Sequence, residues 1–193
     1  MRRRLAGPLS LCLGLLLALT SRPAVGGEGS ASEKAAPPVG HLPEWVGPYF
    51  AKMVGTWNAD NAAHRSEAEP FEAYGMDWKL GPGGKSLVRR LYGIRDGKDV
   101  GTSWEFREFW HPGEGHLVAS QFGSDGTYGT GPHERRADGQ MEMLQTFYAP
   151  TGAVSRVGHR SELKVNELVT RSFDVQADAT WKERRKYVWL RKN

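Results

Sequence analysis

The 193-residue sequence contains a single cysteine, Cys12, placed inside an N-terminal apolar stretch. Beyond it there is no thiol, no disulfide and no cysteine metal ligand, so stability has to come from core burial. No Asn-x-Ser/Thr triplet occurs at Asn58, Asn61 or Asn166, so the sequence carries no glycosylation signal. A sustained excess of positive charge is missing as well. The formal charge of +4 stems from Arg2, Arg3, Arg4 and Arg22, and the rest of the chain balances its basic residues against 22 acidic ones. That balance argues against a nucleic-acid partner, because phosphate-backbone binders depend on clustered Lys and Arg.

Signatures of common chemistries are missing too. There is no Gly-x-Ser-x-Gly elbow. The run Gly83-Gly84-Lys85-Ser86 lacks the first glycine of a phosphate loop, since Lys79 stands there, and it sits at a turn between strands. His133-Glu134 opens a zinc-helix pattern whose second histidine would fall at Ala137. His111 and His116 flank one turn and offer too few ligands for a zinc site, so no metal is expected.

Residues 1–26 have the order of a secretory signal peptide. Three arginines precede an apolar run from Pro8 to Thr20, and Ala24-Val25-Gly26 supplies small residues for cleavage. The run is well short of the roughly 20 residues of a spanning helix, so stable membrane insertion after cleavage is not expected. An exported, periplasmic or secreted, location follows. Residues 27–40 are small, polar and rich in Pro and Gly, the composition of a disordered tether. The domain is expected over 41–193. Leu42, Trp45, Val46, Tyr49, Phe50 and Met53 form a one-sided helical stripe that Pro43 can start and Pro48 is expected to kink or split.

From Gly55 onward the period changes to two. Turn signals such as Asp96-Gly97, Asp125-Gly126 and Asp138-Gly139 predict strands near 54–60, 71–80, 85–94, 99–110, 116–122, 127–136, 141–148, 153–163, 167–175 and 180–191. Ten antiparallel strands leave exposed edges unless the sheet closes. The fold class is therefore all-β, a meander closed into a barrel, with a two-sheet sandwich as the alternative.

Gly55-Thr56-Trp57, after a helical segment and at the head of the first strand, resembles the Gly-x-Trp signature of lipocalins and related calycin barrels. The resemblance implies a structural Gly55 and a Trp57 buried at the closed end. Tyr74-Gly75-Met76-Asp77-Trp78, Trp104 to Trp110 and Gln121 to Gly126 also look like an uncharacterised bacterial family of lipocalin-like domains of unknown function, which brings no activity with it. Arg185-Lys186-Tyr187 is similar to the Arg-x-Tyr on the last strand of intracellular fatty-acid-binding proteins, where the pair holds a carboxylate.

Alternation on the last strand puts Trp181, Glu183, Arg185, Tyr187 and Trp189 on one face, expected to point inward. An arginine inside a barrel costs several kcal/mol unless paired. Arg185 therefore needs an anion: Glu183, an acid of another strand, or a ligand; alternatively it closes the barrel against Trp57. On the fourth strand Trp104, Phe106, Glu108 and Trp110 share a face opposite Glu105, which removes the geometry of a two-carboxylate glycosidase built on that strand. Glu108 is read either as a rim residue or as an inward acid for Arg185 or a cationic ligand group. His159 lies on a strand with Val157 and Leu163. Haem-binding calycins such as nitrobindin use a histidine against an apolar wall, so haem is retained as a minor possibility there, although the last strand has no histidine.

These residues point to a non-enzymatic carrier or sensor that binds a small apolar or amphipathic ligand. Arg185 and Tyr187 would hold an anionic head group, with Trp78, Trp104, Phe106 and Trp189 against the apolar body. No catalytic residue is assigned. The alternatives are an enzyme on the same scaffold and a filled barrel acting through its surface.

Overall fold

The computed structural model describes residues 41–192; the segments read from the sequence as a signal peptide and a tether lie outside the described residues. Ten antiparallel strands close into one barrel in which every strand pairs with its sequence neighbours. They are β1 (Gly55–Asp60), β2 (Ala73–Leu80), β3 (Ser86–Arg95), β4 (Lys98–His111), β5 (His116–Gly123), β6 (Tyr128–Arg135), β7 (Met141–Tyr148), β8 (Val154–Leu163), β9 (Glu167–Val175) and β10 (Trp181–Arg191). The ring shuts where β1 meets β10, through Trp57 opposite Arg191 and Asn58 opposite Leu190. Closure leaves no unpaired edge, which settles barrel against sandwich.

One α-helix, α1 (Val46–Met53), precedes β1. The predicted break at Pro48 does not occur. Pro48 stands in the first turn, where its missing N–H needs no intrahelical partner, so the helix runs through it. Val46, Phe50 and Met53 are buried at i, i+4 and i+7 and plug one end of the barrel together with Trp57, Leu87, Leu117, Met141, Leu168 and Trp189. Among the described residues no helix is long and apolar enough to cross a membrane.

The direction of β10 is set by an irregularity. Its register against β9 shifts between Glu183 and Arg185. A bulge adds one residue to one strand and so reverses which face the following side chains take. Ser172, opposite Arg185, lines the interior, whereas Phe173, opposite Glu183, packs its ring on Trp181 at 5.4 Å. Trp181 and Glu183 therefore lie on the outer face, contrary to the uninterrupted alternation. Arg185, Tyr187 and Trp189 remain inward.

Candidate ligand cavity

The barrel encloses a cavity of about 560 Å³. It extends from Tyr49 and Met53 of α1 to Thr127, Ala149 and Ala153, in the turns at the far end. α1 forms the floor, and these turns form the mouth.

At the mouth, Arg185 meets a carboxylate from the β1–β2 connection. Nη2 donates to Glu69 Oε1 at 2.6 Å and Nη1 to Glu69 Oε2 at 2.7 Å, a bidentate pair. The same Nη1 lies 3.3 Å from the Tyr187 hydroxyl, which donates to Asn61 Oδ1 at 2.8 Å, while Tyr74 donates to Glu69 Oε2 at 2.9 Å. Hydrogen bonding from Arg185 holds the Glu69 carboxyl below its ordinary range against an opposing burial effect. Arg185 thus has its anion within the protein, in an acid of another segment. It pairs neither with Glu183, which binds Arg171 at 3.1 Å, nor with Trp57. The arginine over the Trp57 ring is Arg191.

Near the floor the polar groups are enclosed. Glu108 is buried and lies 3.2 Å from His133 Nδ1, so it is neither a rim residue nor the partner of Arg185. Tyr49 of α1 faces the same carboxylate, and burial followed by that negative charge pushes its phenol well up. Gln121 donates to Gln145, which donates to the Ala119 carbonyl at 3.2 Å. His159 lines the cavity with its pKa pushed down to about 3, by burial first and then by the charges of Arg89 and His133.

Arg89 is the residue that alternation alone did not disclose. It projects from β3 between two aromatic rings, its guanidinium carbon 3.4 Å from the centre of Phe106 and 4.3 Å from that of Trp78. Cross-strand register sets this arrangement, since Arg89 stands opposite Trp78 on β2 and Phe106 on β4. Its hydrogen-bond contact is Nη1 to the Met76 sulfur at 3.5 Å, a weak acceptor. Burial lowers its pKa to about 10, which leaves it cationic at neutral pH.

The structure brings Trp78, Trp104, Phe106, Glu108, Arg185, Tyr187 and Trp189 to one cavity. Trp57 and Gly55 stand apart, beneath α1. Trp110 keeps the interior face of β4 expected for it, opposite the buried Leu117, but it stands below the cavity and packs against Trp45 with ring centres 6.4 Å apart, beside the helix. Sequence reasoning missed Arg89, His133, Tyr49, Gln121 and Gln145. The alternation Leu87-Arg89-Leu91 was a signal for Arg89, but the adjacent Arg90 made either face of β3 plausible. Among the described residues no group of three or more His, Cys, Asp and Glu side chains is arranged to hold a metal ion.

No protein-family model matches the chain, and no curated protein matches it. Among solved structures it is similar to the crystal structure of Rv2717c from M. tuberculosis, with a TM-score of 0.50 and 13% identity over 79% of this chain and 100% of that one. The likeness is one of fold. A ten-stranded antiparallel barrel is consistent with the calycin-like resemblance of the Gly-x-Trp segment, and at this identity nothing about ligand or activity follows.

Proposed function

We propose that this protein is an exported, non-enzymatic carrier or sensor that holds a small amphipathic molecule inside the barrel. The observation that carries the reading is the cavity of about 560 Å³, within the size range of small-molecule sites. Its wall combines Trp78, Trp104, Phe106 and Trp189 with a few enclosed polar groups, the mixture that buries an apolar body and orients a polar end. A barrel filled by its own side chains would leave no such space. The charge, apolar and small-residue order of residues 1–26 supports export, and N-terminal sequencing of the exported protein should begin near Gly27.

Native mass spectrometry of protein isolated from the host's envelope or medium tests the binding reading. A bound small molecule, released on denaturation, is the expected result. Ligand-free protein that also takes up no member of a panel of amphiphiles by calorimetry would remove it. Recovery of a converted product would favour the enzyme reading.

A second reading takes haem as the ligand, favoured by His159, a cavity-lining imidazole kept neutral by its surroundings and so free to offer a nitrogen lone pair. Bound haem would supply an iron centre for gas binding or redox chemistry. Haemin titration followed by absorption distinguishes the two readings: a Soret shift in wild type that His159→Ala abolishes supports haem, and an unaltered spectrum discards it.

A further inference from the structure

We propose that Arg89 is an anion anchor, and that the cavity takes a monoanionic amphiphile, a carboxylate on an apolar body, with its charged end down at the α1 end of the barrel. The proposal rests on the interior-ligand reading above and narrows it to a ligand class and an orientation.

Of the arginines that line the cavity, Arg89 stands near the α1 end and Arg185 near the mouth. Tyr74, which shares Glu69 with Arg185, and Trp78, which stacks on Arg89, are four residues apart on β2, roughly 13 Å at the rise of an extended strand. Their satisfaction differs. Arg185 already places both terminal nitrogens on Glu69. Among the described residues no carboxylate forms an ion pair with Arg89, its Nη2 donates no hydrogen bond, and its Nε is buried without a partner. Glu108, whose charge reaches Arg89, makes no ion pair with it: its Oε2 lies 3.2 Å from His133 Nδ1 and its Oε1 is buried without a hydrogen-bond partner.

A guanidinium has five donors in a planar fork that matches a carboxylate. Here the two ring faces hold that fork by cation–π contact, which offsets part of its desolvation but satisfies none of its N–H donors. A half-buried cation with an unpartnered, buried Nε is costly for folding alone, and a carboxylate arriving from the cavity would supply missing acceptors in a water-poor setting. Trp104 and Leu91, further toward the mouth on β4 and β3, would then flank the apolar body.

Calorimetry with decanoate and 1-decanol on wild type, Arg89→Met and Arg185→Met tests this. The expected result is a preference of wild type for decanoate of about tenfold or more, lost in Arg89→Met while decanol affinity stays within about twofold, and kept in Arg185→Met. Methionine retains most of the apolar stem and removes the buried charge, and retained decanol binding shows that the cavity is intact. Equal binding of both ligands by wild type would overturn the anchor and leave the interior-ligand reading standing. A preference that survives in Arg89→Met, or that disappears in Arg185→Met, would also overturn it, as would equal loss of both ligands in Arg89→Met. Failure of wild type to bind either molecule would remove the amphiphile reading itself.

Discussion

The guanidinium of Arg191 lies 4.2 Å from the centre of the Trp57 ring and also donates to the carbonyls of Lys52 and Val54. One side chain from the last strand thus ties the C-terminal end of α1, the chain entering β1 and the floor of the barrel together. Trp57 is fully buried and donates its indole N–H to the Met53 carbonyl at 3.0 Å. Gly55 belongs to the same unit. Its φ is +130°, and a Cβ there would sit 2.8 Å from Arg191 Nη1. The Gly-x-Trp segment therefore has a local physical basis: glycine supplies both the backbone conformation and the space for the guanidinium that covers the tryptophan.

Trp57→Ala should lower stability by roughly 3–5 kcal/mol, as a large buried aromatic replaced by a cavity. Arg191→Ala should cost less, about 1–3 kcal/mol, through the cation–π contact and the two hydrogen bonds. Because the side chains touch, the double variant should lose less than the sum. Urea unfolding of the four proteins measures this, and strict additivity would show that the contact contributes nothing.

The Glu69–Arg185 pair should make stability depend on pH in the acid range. The folded-state pKa of Glu69 is held below its ordinary 4.5, so its contribution is present above that value and is lost as pH falls through the folded pKa. Glu69→Gln should melt below wild type at pH 7, by an amount equivalent to roughly 1 kcal/mol for a partly exposed pair. The gap should narrow as pH falls below 4.5 and Glu69 takes up its proton, which thermal melts at pH 7 and across the acid range would show.

His159 should oppose folding in acid for a related reason. The unfolded histidine takes up a proton near 6.5, whereas the folded one resists it down to about 3, so stability falls as pH drops between those limits. His159→Phe should flatten that part of the stability profile. In wild type the His159 ring resonances should stay unshifted between pH 8 and 5. Movement of those resonances with a midpoint near 6.5 would place the ring in contact with solvent.

Gly131 should tolerate no side chain. A Cβ there would lie 1.9 Å from the Leu144 carbonyl oxygen and 2.9 Å from the Gln145 Cα, both backbone atoms that cannot rotate aside. The β6–β7 ladder records no partners for Gly131 and Pro132, although the register is the same on either side, and the Gly131 backbone lies close against that of Leu144 and the buried Gln145. Gly131→Ala should therefore cost about 1–3 kcal/mol or more by overpacking, read as a lowered denaturation midpoint.

Much of the barrel was legible without coordinates because its signals are local. The strands predicted at 141–148 and 167–175 coincide with those observed, and the others differ by a residue or two at their ends. Turn chemistry is written in adjacent residues, as at Asp96-Gly97, where both φ angles are positive. Two-residue alternation likewise needs only neighbours to be read. Pro48 misled because a proline's effect depends on where the helix starts, and the first turn accepts it.

The sequence by itself determined the strand count, the closure that ten strands require, and the aromatic character of the interior. Tertiary structure decided how the charges inside are paired. Glu69 lies 116 residues from Arg185 in sequence and reaches it because closure of β1 on β10 brings the β1–β2 connection to that strand. The bulge before Arg185 depends on how β9 and β10 register, so no periodicity within β10 alone could show that Trp181 and Glu183 face outward. Arg89 and Arg90 are adjacent and chemically identical. Arg90 pairs with Asp77 and Asp99 at 2.8 Å on the outer face, while Arg89 turns inward between Trp78 and Phe106, and only the pairing of β3 with β2 and β4 separates their fates.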